Sequence, residues 1–579
     1  MALPTAFPSD WHPCKGCACV NHAIPSYRFS VTDADSPLID HPDLGKLVRS
    51  NDAPNPSEEK VLQKMVSDTG KRIDALDAEV LELKALRQAF VQSIARVDEE
   101  LATLDKERQR LYDSVRERRL LLSALRRMPK EVLAHIFFHT LDIPFPWAEN
   151  PMSDGSWSQN SASKLSIFEL VSRKWKDVLD TYPDLWSYVN ILIDRMASST
   201  YVCCIGNQLS RSRQCPLSIL ICTSESVSAY SLGAFPVAIL MTLFTISSRV
   251  QTLHLCLPDS YFTDMQQPRL SFPILQELVL LSSTDLSEVA QHFHFGPLPC
   301  LRVFHARDIS DIHNLSLPWH QLTHFTNSYT RLDCRPPAHR VLDILKTTSL
   351  LSNCSLYLYP SSRIEVVEET TLSKLYSLTL SSVCQHGFDF RPVTPFVLNS
   401  LKLPALSDLS VTCLHSNFIS GQDTFTSIRH LIERSHSPLT SLYFDNGDLI
   451  EDDLIHILSN TPTLQDLRLT KVDGGITDGV LNHLARVVDT EPDSQVPALV
   501  PHLHTLHLSG RSYFQMEAYV QMVERRWACH PRHLKSVDIC RTLSQWWYDD
   551  PEEEANLLTL SRLDDLESEG LHVVMSTED

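Results

Sequence analysis

A six-residue pattern of leucines, Leu-x-x-Leu-x-Leu, recurs from residue 250 towards the C-terminus and limits the folds open to this chain. Clear copies are VQTLHL from Val250, LQELVL from Leu275 and LQDLRL from Leu464. A unit this short carries one apolar face that it cannot bury alone, so its neighbours must stack against it. The pattern therefore predicts a stacked array of similar units.

The spacing of the copies indicates the kind of array. Eleven copies, some degenerate, start at Val250, Leu275, Leu301, Leu322, Leu351, Leu375, Leu406, Leu439, Leu464, Leu503 and Leu534. Their steps of 21 to 39 residues lie around the leucine-rich repeat period of 20 to 29, with some long insertions. We predict an α/β leucine-rich-repeat solenoid over residues 191–545, with ten or eleven parallel strands. The asparagines usual in such repeats are mostly missing, so a mixed α/β domain that only imitates repeats is the alternative.

Side chains that alternate with the leucines should face the concave surface of this sheet, where repeat proteins bind partners. They include five acids and one arginine, so we expect negative potential and a partner with a basic segment. Tyr443 is the expected anchor because aromatic residues dominate interface hot spots. The predicted target-binding residues are Glu277, Asp408, Tyr443, Asp445, Asp466, Arg468 and His507. Acids that only keep the sheet soluble are the alternative.

A seven-residue repeat of apolar side chains covers residues 57–122. One core position holds Ile73, Val80, Ile94, Leu101, Val115 and Leu122, and the other holds Leu76, Leu83, Phe90, Val97, Leu104 and Leu111. Arg87, Arg108 and Arg118 take the remaining core positions, which favours specificity at some cost in stability. The repeat predicts a coiled coil of about 90 Å that self-associates. A helical hairpin folded on itself is the alternative.

Two further helices are predicted between the rod and the array, within residues 123–190. In the first, Pro129 takes the first-turn position and Val132, Leu133 and Ile136 recur at helical spacing. After a polar insertion at 142–163, apolar residues from 165 to 178 recur at steps of three and four. This spacing predicts a second helix, which should end at Pro183.

The motifs MPKEVLAHIF and VSRKWKDV in these helices resemble the F-box. The resemblance implies docking to the Skp-type adaptor of cullin-RING (SCF) ubiquitin ligases. The adaptor-binding residues it implies are Pro129, Glu131, Val132, Leu133, Ile136, Phe137, Leu170, Val171, Ser172 and Trp175. Met128 stands where the family usually has Leu, a change that conserves volume. Two ordinary core helices are the alternative to an F-box.

The order of tail, coiled coil, F-box and leucine-rich array resembles that of the large F-box families of mushroom-forming fungi. The resemblance implies a multidomain substrate receptor whose array holds a target protein, while other subunits carry out the ubiquitin chemistry. We therefore expect no catalytic residues, no cofactor and a cytoplasmic or nuclear location. The alternative is a coiled-coil and leucine-rich-repeat scaffold that does not engage the ubiquitin machinery.

Composition excludes several other classes. A formal net charge of −20 removes any general attraction to nucleic acid or anionic membranes. Fifteen cysteines, many in apolar segments, suit reduced thiols in a cytosolic or nuclear protein. The longest apolar run, 234–246, is too short to span a bilayer, and residues 1–10 do not resemble a signal peptide. Only 15 glycines are present, and no glycine-rich phosphate-binding motif occurs.

The two ends of the chain are predicted to be tails. Residues 1–56 contain eight prolines and should be disordered. Their Cys14, Cys17 and Cys19 have a metal-binding spacing, but a second cluster does not follow, so we expect no bound metal. Residues 546–579 are expected to form an acidic C-terminal tail, either a solvated end or an acidic cap. The histidines around His507 are not expected to bind metal either, because they do not share one face of a strand.

Overall fold

A computed structural model describes residues 44–50, 52–141, 161–196, 198–223, 237–257, 271–282, 295–309, 312–329, 338–359, 368–383, 393–414, 421–491, 494–542 and 553–578. The chain divides into two units, Met1–Arg127 and Met128–Asp579. The cysteine cluster at 14–19 and the greater part of the polar insertion lie outside the described residues.

The first unit is dominated by one helix. Within its described residues the elements are α1 (Gly45–Arg49), α2 (Pro56–Leu121) and α3 (Ala124–Arg127). The 66 residues of α2 form a single uninterrupted helix, so the alternative of a helical hairpin is wrong. Asn55 starts the helix because its Oδ1 accepts from the Glu58 backbone N–H at 2.9 Å, while the Glu58 carboxylate accepts from the Asn55 N–H at 2.8 Å. Disorder was predicted over residues 1–56, and the short helix α1 corrects that prediction for Gly45–Arg49.

The second unit begins with a small helical module. It consists of α4 (Lys130–Thr140), α5 (Ser161–Val171), α6 (Arg173–Thr181) and a 3-10 turn at Pro183–Trp186. The single helix predicted over residues 165–178 is wrong, because the chain is extended at Ser172. Ser172 Oγ accepts a hydrogen bond from the Trp175 N–H at 3.2 Å and so caps the start of α6. The insertion is shorter than predicted, since α5 already includes residues 161–163.

Helices and strands alternate through the rest of the unit. The helices are α7 (Ser199–Arg211), α8 (Val237–Ile246), α9 (Ala338–Thr347), α10 (Val393–Asn399), α11 (Gly421–Ser435), α12 (Glu451–Asn460), α13 (Asp478–Leu484), α14 (Met516–Ala528) and α15 (Glu553–Ser568). The strands are β1 (Tyr188–Leu192), β2 (Leu217–Cys222), β3 (Val250–Leu257), β4 (Glu277–Ser282), β5 (Val303–Arg307), β6 (His324–Ser328), β7 (Asn353–Leu358), β8 (Thr370–Thr371), β9 (Ser377–Val383), β10 (Leu401–Lys402), β11 (Asp408–Leu414), β12 (Ser441–Asp448), β13 (Asp466–Thr477), β14 (Val487–Glu491), β15 (Ser494–Pro497), β16 (Thr505–Tyr513), β17 (Ser536–Thr542) and β18 (His572–Glu578).

Fourteen of these strands form one parallel sheet in chain order. The other four pair among themselves, β8 with β10 and β14 with β15. Each of the eleven leucine-pattern copies leads into a strand of the large sheet, because its leucines point into one buried apolar cluster beneath it. Phe444 of β12, for example, packs on Phe425 of α11 with ring centroids 5.2 Å apart.

Backbone hydrogen bonds before the strands show how regularly the copies stack. Arg302 N–H donates to Gln276 O at 2.8 Å, Thr323 N–H to Arg302 O at 2.8 Å, and Ser352 N–H to Thr323 O at 2.8 Å. Equivalent bonds join Tyr376, Ser407, Thr440, Gln465, His504, Lys535 and His572, each to the residue before it in this series. The same backbone position is therefore bonded from copy to copy along the sheet.

Three strands of the large sheet fall outside the predicted set. β1 and β2 are continuous apolar segments without the leucine pattern, and β1 starts at Tyr188, before the predicted boundary at 191. β18 lies within the predicted acidic tail, so the prediction of a solvated end is wrong for residues 553–578. There α15 packs on α14 through Arg562, which pairs with Glu517 and Glu524. Residues 553–578 add a final helix and strand to the sheet.

Helix α7 covers the edge of the sheet formed by β1. The Tyr201 hydroxyl of α7 accepts from the Leu192 N–H at 2.8 Å and donates to Asn190 O at 3.1 Å. Gln208 of α7 donates to Tyr188 O. These side chains satisfy backbone groups that an edge strand otherwise leaves open to another chain.

Among the described helices, none is both long enough and apolar enough to cross a membrane.

Candidate interaction surfaces

The helical module has its own apolar core. Phe137 stacks on Phe168 with ring centroids 4.8 Å apart and meets Trp175 at 4.7 Å. The buried residues of this core are Leu133, Ala134, Phe137, Leu141, Leu165, Val178, Leu179, Leu185 and Trp186. Three predicted adaptor-binding residues therefore serve the fold: Leu133 and Phe137 are buried, and Trp175 is half-buried against them. They can support an interface but do not present a free surface.

The other predicted adaptor-binding residues are exposed, and three apolar side chains form a ridge on α5. Ile167 is 60% exposed, Leu170 86% and Val171 55%. The three lie on one side of the helix, because residues three and four apart are neighbours there. Ile167 was missed by the sequence prediction, although its position three residues before Leu170 could have revealed it. We call these three residues the α5 ridge.

A second exposed apolar pair lies on α4. Val132 and Ile136 are 45% and 38% exposed and stand one turn apart. Phe138 is 41% exposed but points to a different side of α4, since it lies about 160° further round the helix from Ile136. Pro129, Glu131 and Ser172 are also exposed. Val132 and Ile136 therefore share a face that Phe138 does not.

Polar contacts hold these helices in place. Lys174 Nζ donates to Met128 O at 2.7 Å, which ties α6 to the entry of α4. Lys130 pairs with Asp177, and this hydrogen bond raises the pKa of Lys130. Contacts at Met128 and Lys130, on either side of Pro129, thus set the orientation of α4 relative to α6.

Arginines of α7 and the turn after it join the module to the sheet. Arg211 pairs with Glu169 of α5 and places its guanidinium 4.4 Å from the centre of the Trp186 ring. Arg213 donates to Asp180 O at 3.0 Å. The module is therefore fastened to α7 and the turn that follows it rather than carried on a free linker.

On the face of the sheet opposite the apolar cluster, the predicted target-binding residues fall into rows. Asp408 and Asp466 lie two strands apart in one row, with Ser441 between them. The next row holds Tyr443, Arg468 and His507 in direct register on β12, β13 and β16. The structure brings these residues together because parallel pairing keeps the same register across the strands. We call this area the β11–β16 surface.

Asp445 and Glu277 occupy different places. Asp445 lies one row further along β12, in register with Thr470 of β13. Glu277 lies on β4, five strands from Asp408 along the sheet order β4-β5-β6-β7-β9-β11, or roughly 24 Å away. Glu277 therefore does not belong to the β11–β16 surface, although the sequence grouped it with the others.

Several acids of the sheet already have partners. Thr470 Oγ1 donates to Asp445 at 2.6 Å, and His507 Nδ1 lies 2.7 Å from Asp538 Oδ2. Within the described residues Asp408 and Asp466 form no ion pair, and Arg468 is exposed. The hydroxyl donor leaves the charge of Asp445 in place, so the negative potential of the β11–β16 surface stays a prediction.

Glu277 belongs to a separate group with two histidines. His254 Nε2 is 3.2 Å from Glu277 Oε1, and this hydrogen bond lowers the pKa of Glu277. On β5, burial lowers the pKa of His305 to about 4. His305 is therefore neutral at physiological pH and does not balance the charge of Glu277.

Hydroxyl side chains line the middle of the same face. Thr326, Ser355, Thr379 and Ser410 stand in register on β6, β7, β9 and β11, all half-buried. The sequence prediction passed over them because each is unremarkable alone. Their short side chains leave a flat polar surface between the two charged areas.

No group of three His, Cys, Asp or Glu side chains with metal-binding geometry occurs in the part of the chain that the structure describes. The sequence matches neither a protein-family model nor a curated protein.

Proposed function

We propose that this chain is the substrate-recognition subunit of an SCF-type cullin-RING ubiquitin ligase. Its helical module would be an F-box that docks a Skp-type adaptor, and its repeats would form a leucine-rich-repeat solenoid that binds the target protein. The ubiquitin transfer itself would belong to other subunits of the ligase.

The α5 ridge is the observation that carries this proposal. Leu170 is 86% exposed, the most exposed large apolar residue in the described part of the module, and Ile167 and Val171 stand beside it. Burying a leucine side chain fully contributes about 2 kcal/mol, so three adjacent exposed aliphatic residues favour a partner surface. The MPKEVLAHIF and VSRKWKDV motifs suggest that this partner is a Skp-type adaptor.

The repeats support the second half of the proposal. Eleven pattern copies lead into strands of one parallel sheet, and a recurring backbone bond links successive copies. Such stacking exposes one broad face of the sheet, and repeat proteins use that kind of surface to bind proteins. The β11–β16 surface, with an exposed Arg468 beside Tyr443, is where we place the target.

Adaptor binding tests the proposal. The purified full-length chain and a purified Skp-type adaptor should associate at micromolar concentration or below in calorimetry. Leu170→Glu should weaken binding at least about tenfold, because it places a charge in the apolar contact.

Phe138→Glu is the matched control, since it adds the same charge to an exposed apolar position on another side of the module. It should bind like the original chain. If the unaltered chain shows no association, the ligase proposal fails and a scaffold without the ubiquitin machinery takes its place. If Phe138→Glu and Leu170→Glu weaken binding equally, the α5 ridge is not the contact.

A further inference from the structure

The apolar stripe of α2 is exposed along most of its length. Apart from the half-buried Leu83, its apolar core-position residues from Val66 to Val115 are between 36% and 72% exposed. The helix spans about nine heptads, well beyond the three or four that indicate a coiled coil. A stripe of this length needs a partner helix of similar length, because apolar side chains repeat at every heptad along it.

We propose that a second copy of this chain covers the stripe, and that the two α2 helices run antiparallel with complete overlap. In this alignment Pro56 of one copy lies opposite Leu121 of the other, so paired residue numbers add up to 177. This alignment also fits the heptad repeat, because each residue at one core position of a helix then faces a residue at the other core position of the second helix.

Six layers of this alignment are entirely apolar. They pair Leu62 with Val115, Val66 with Leu111, Ile73 with Leu104, Leu76 with Leu101, Val80 with Val97, and Leu83 with Ile94 of the second copy. Every one occurs twice in the dimer because of its two-fold symmetry. The apolar part of the stripe is therefore fully matched.

The polar core positions are matched as well. Glu59 lies opposite Arg118 of the second copy, which places opposite charges together. Arg108 lies opposite Thr69, while Asp105 of its own helix holds the Arg108 guanidinium at 3.0 Å. No core layer of this alignment contains two like charges.

The remaining layer joins a cation to an aromatic ring. Arg87 faces Phe90 of the second copy, and Phe90 is 36% exposed in the single chain. A guanidinium over an aromatic face is favourable, so this layer also tolerates its charge.

A parallel dimer in register would place each polar core residue opposite itself. Glu59, Arg87, Arg108 and Arg118 would then form four layers of like charge. Charges in a core lose their solvation and repel strongly when unpaired. Core composition therefore favours the antiparallel arrangement.

The charged residues at positions flanking the core favour the parallel orientation, but only weakly. A parallel pair would join Glu79 to Lys84 and oppose Glu100 to Asp105, whereas the antiparallel pair opposes Glu79 to Glu100. Such pairs stay exposed to solvent and are screened by salt, so each contributes little. The core layers decide the orientation because their charges are desolvated.

A photo-crosslink distinguishes the two orientations in the full-length protein. Benzoylphenylalanine at Val66 should react with residues near Leu111 in the antiparallel dimer. The two positions are 45 residues apart, or about 68 Å along one helix, so this product can form only between two copies. A product joining the two copies at residue 66 overturns the antiparallel alignment. A monomer in sedimentation at micromolar concentration overturns the pairing altogether.

A charge swap gives a second test. Arg118→Glu should weaken the dimer at least about tenfold in sedimentation, because it places a carboxylate opposite Glu59 in two layers of the dimer. Adding Glu59→Arg should restore the dimer only if residues 59 and 118 face each other. Arg119→Glu is the matched control, since it changes the same charge at a flanking position and should have a small effect. Failure of the double variant to recover, with helical content unchanged in circular dichroism, contradicts the alignment.

Discussion

The guanidinium of Arg526 on α14 donates from Nε to Leu484 O at the end of α13, at 2.9 Å. Its other nitrogens donate to Leu499 O at 2.6 Å and Val500 O at 3.3 Å. The side chain is buried, and burial lowers its pKa to about 10. This arginine therefore ties one helix end to the segment before β16, where carbonyls would otherwise lack donors.

Arg526→Met should destabilise the repeat region by about 3 kcal/mol, because it leaves three carbonyl groups without their donor. Urea unfolding followed by circular dichroism measures the change. Arg525→Met is the control, since Arg525 is exposed on the same helix turn and should shift the free energy of unfolding by less than about 0.5 kcal/mol. Equal effects of the two substitutions would contradict the role of the three hydrogen bonds.

The lowered pKa of His305 should make the stability of the folded protein depend on pH. Its pKa is about 4 in the folded protein against 6.5 ordinarily, because it is buried. Below pH 6.5 this histidine binds a proton in the unfolded chain but stays neutral in the folded chain. The free energy of unfolding therefore falls between pH 6.5 and 4. The loss reaches about 3 kcal/mol at the lower limit.

Glu277 acts in the same direction at lower pH. Its folded pKa lies below its ordinary value, so the stability it contributes is present above pH 4.5 and is lost as the pH falls through the folded pKa. His305→Gln should flatten the fall of the melting temperature between about pH 6.5 and 5, whereas His324→Gln, at an exposed position on β6, should leave it nearly unchanged. An unaltered slope in His305→Gln would show that His305 is not the titrating group.

The two apolar residues Leu133 and Ile136 should respond differently to truncation. Leu133→Ala removes a buried core side chain and should destabilise the helical module by about 2 to 5 kcal/mol. Ile136→Ala removes a side chain that is 38% exposed, so folding should persist while adaptor binding weakens. Thermal unfolding and calorimetry with the adaptor separate the two effects. Binding that survives Ile136→Ala unchanged would exclude the α4 face from the contact.

We expect Asp466 to strengthen the binding of a basic partner. With a ten-residue oligolysine peptide as probe, Asp466→Lys should weaken binding about threefold to tenfold and reduce its salt dependence. Asp452→Lys, on the exposed side of α12, is the control of equal charge change and should have a smaller effect. If both substitutions act alike, binding follows the net charge of the chain rather than the β11–β16 surface.

The local periodicity of apolar residues was sufficient to predict much of the architecture. The recurring leucines predicted ten or eleven strands, because an inward-facing apolar side chain at every second position specifies a strand with one buried face. Heptad spacing predicted the long helix of α2, and the Pro129 motif predicted α4. The predicted target-binding residues alternate with the buried leucines for the same reason.

Other features depended on neighbours that are distant in sequence. β1 and β2 lack the pattern and become strands because parallel partners and α7 satisfy their backbones. β18 is a strand because β17 offers it a free edge, although its segment reads as an acidic tail.

The acidic side chains of the sheet also show which properties depend on the sequence and which depend on the tertiary structure. Sequence alternation determined that Asp445, Glu277 and Asp538 point away from the leucines, but only the tertiary structure paired them with Thr470, His254 and His507. Periodicity acts within one strand, whereas pairing depends on the register between strands and on which residue the adjacent repeat supplies. The sequence thus determined which residues point away from the leucines, and the packed sheet decided which of their side chains contact one another.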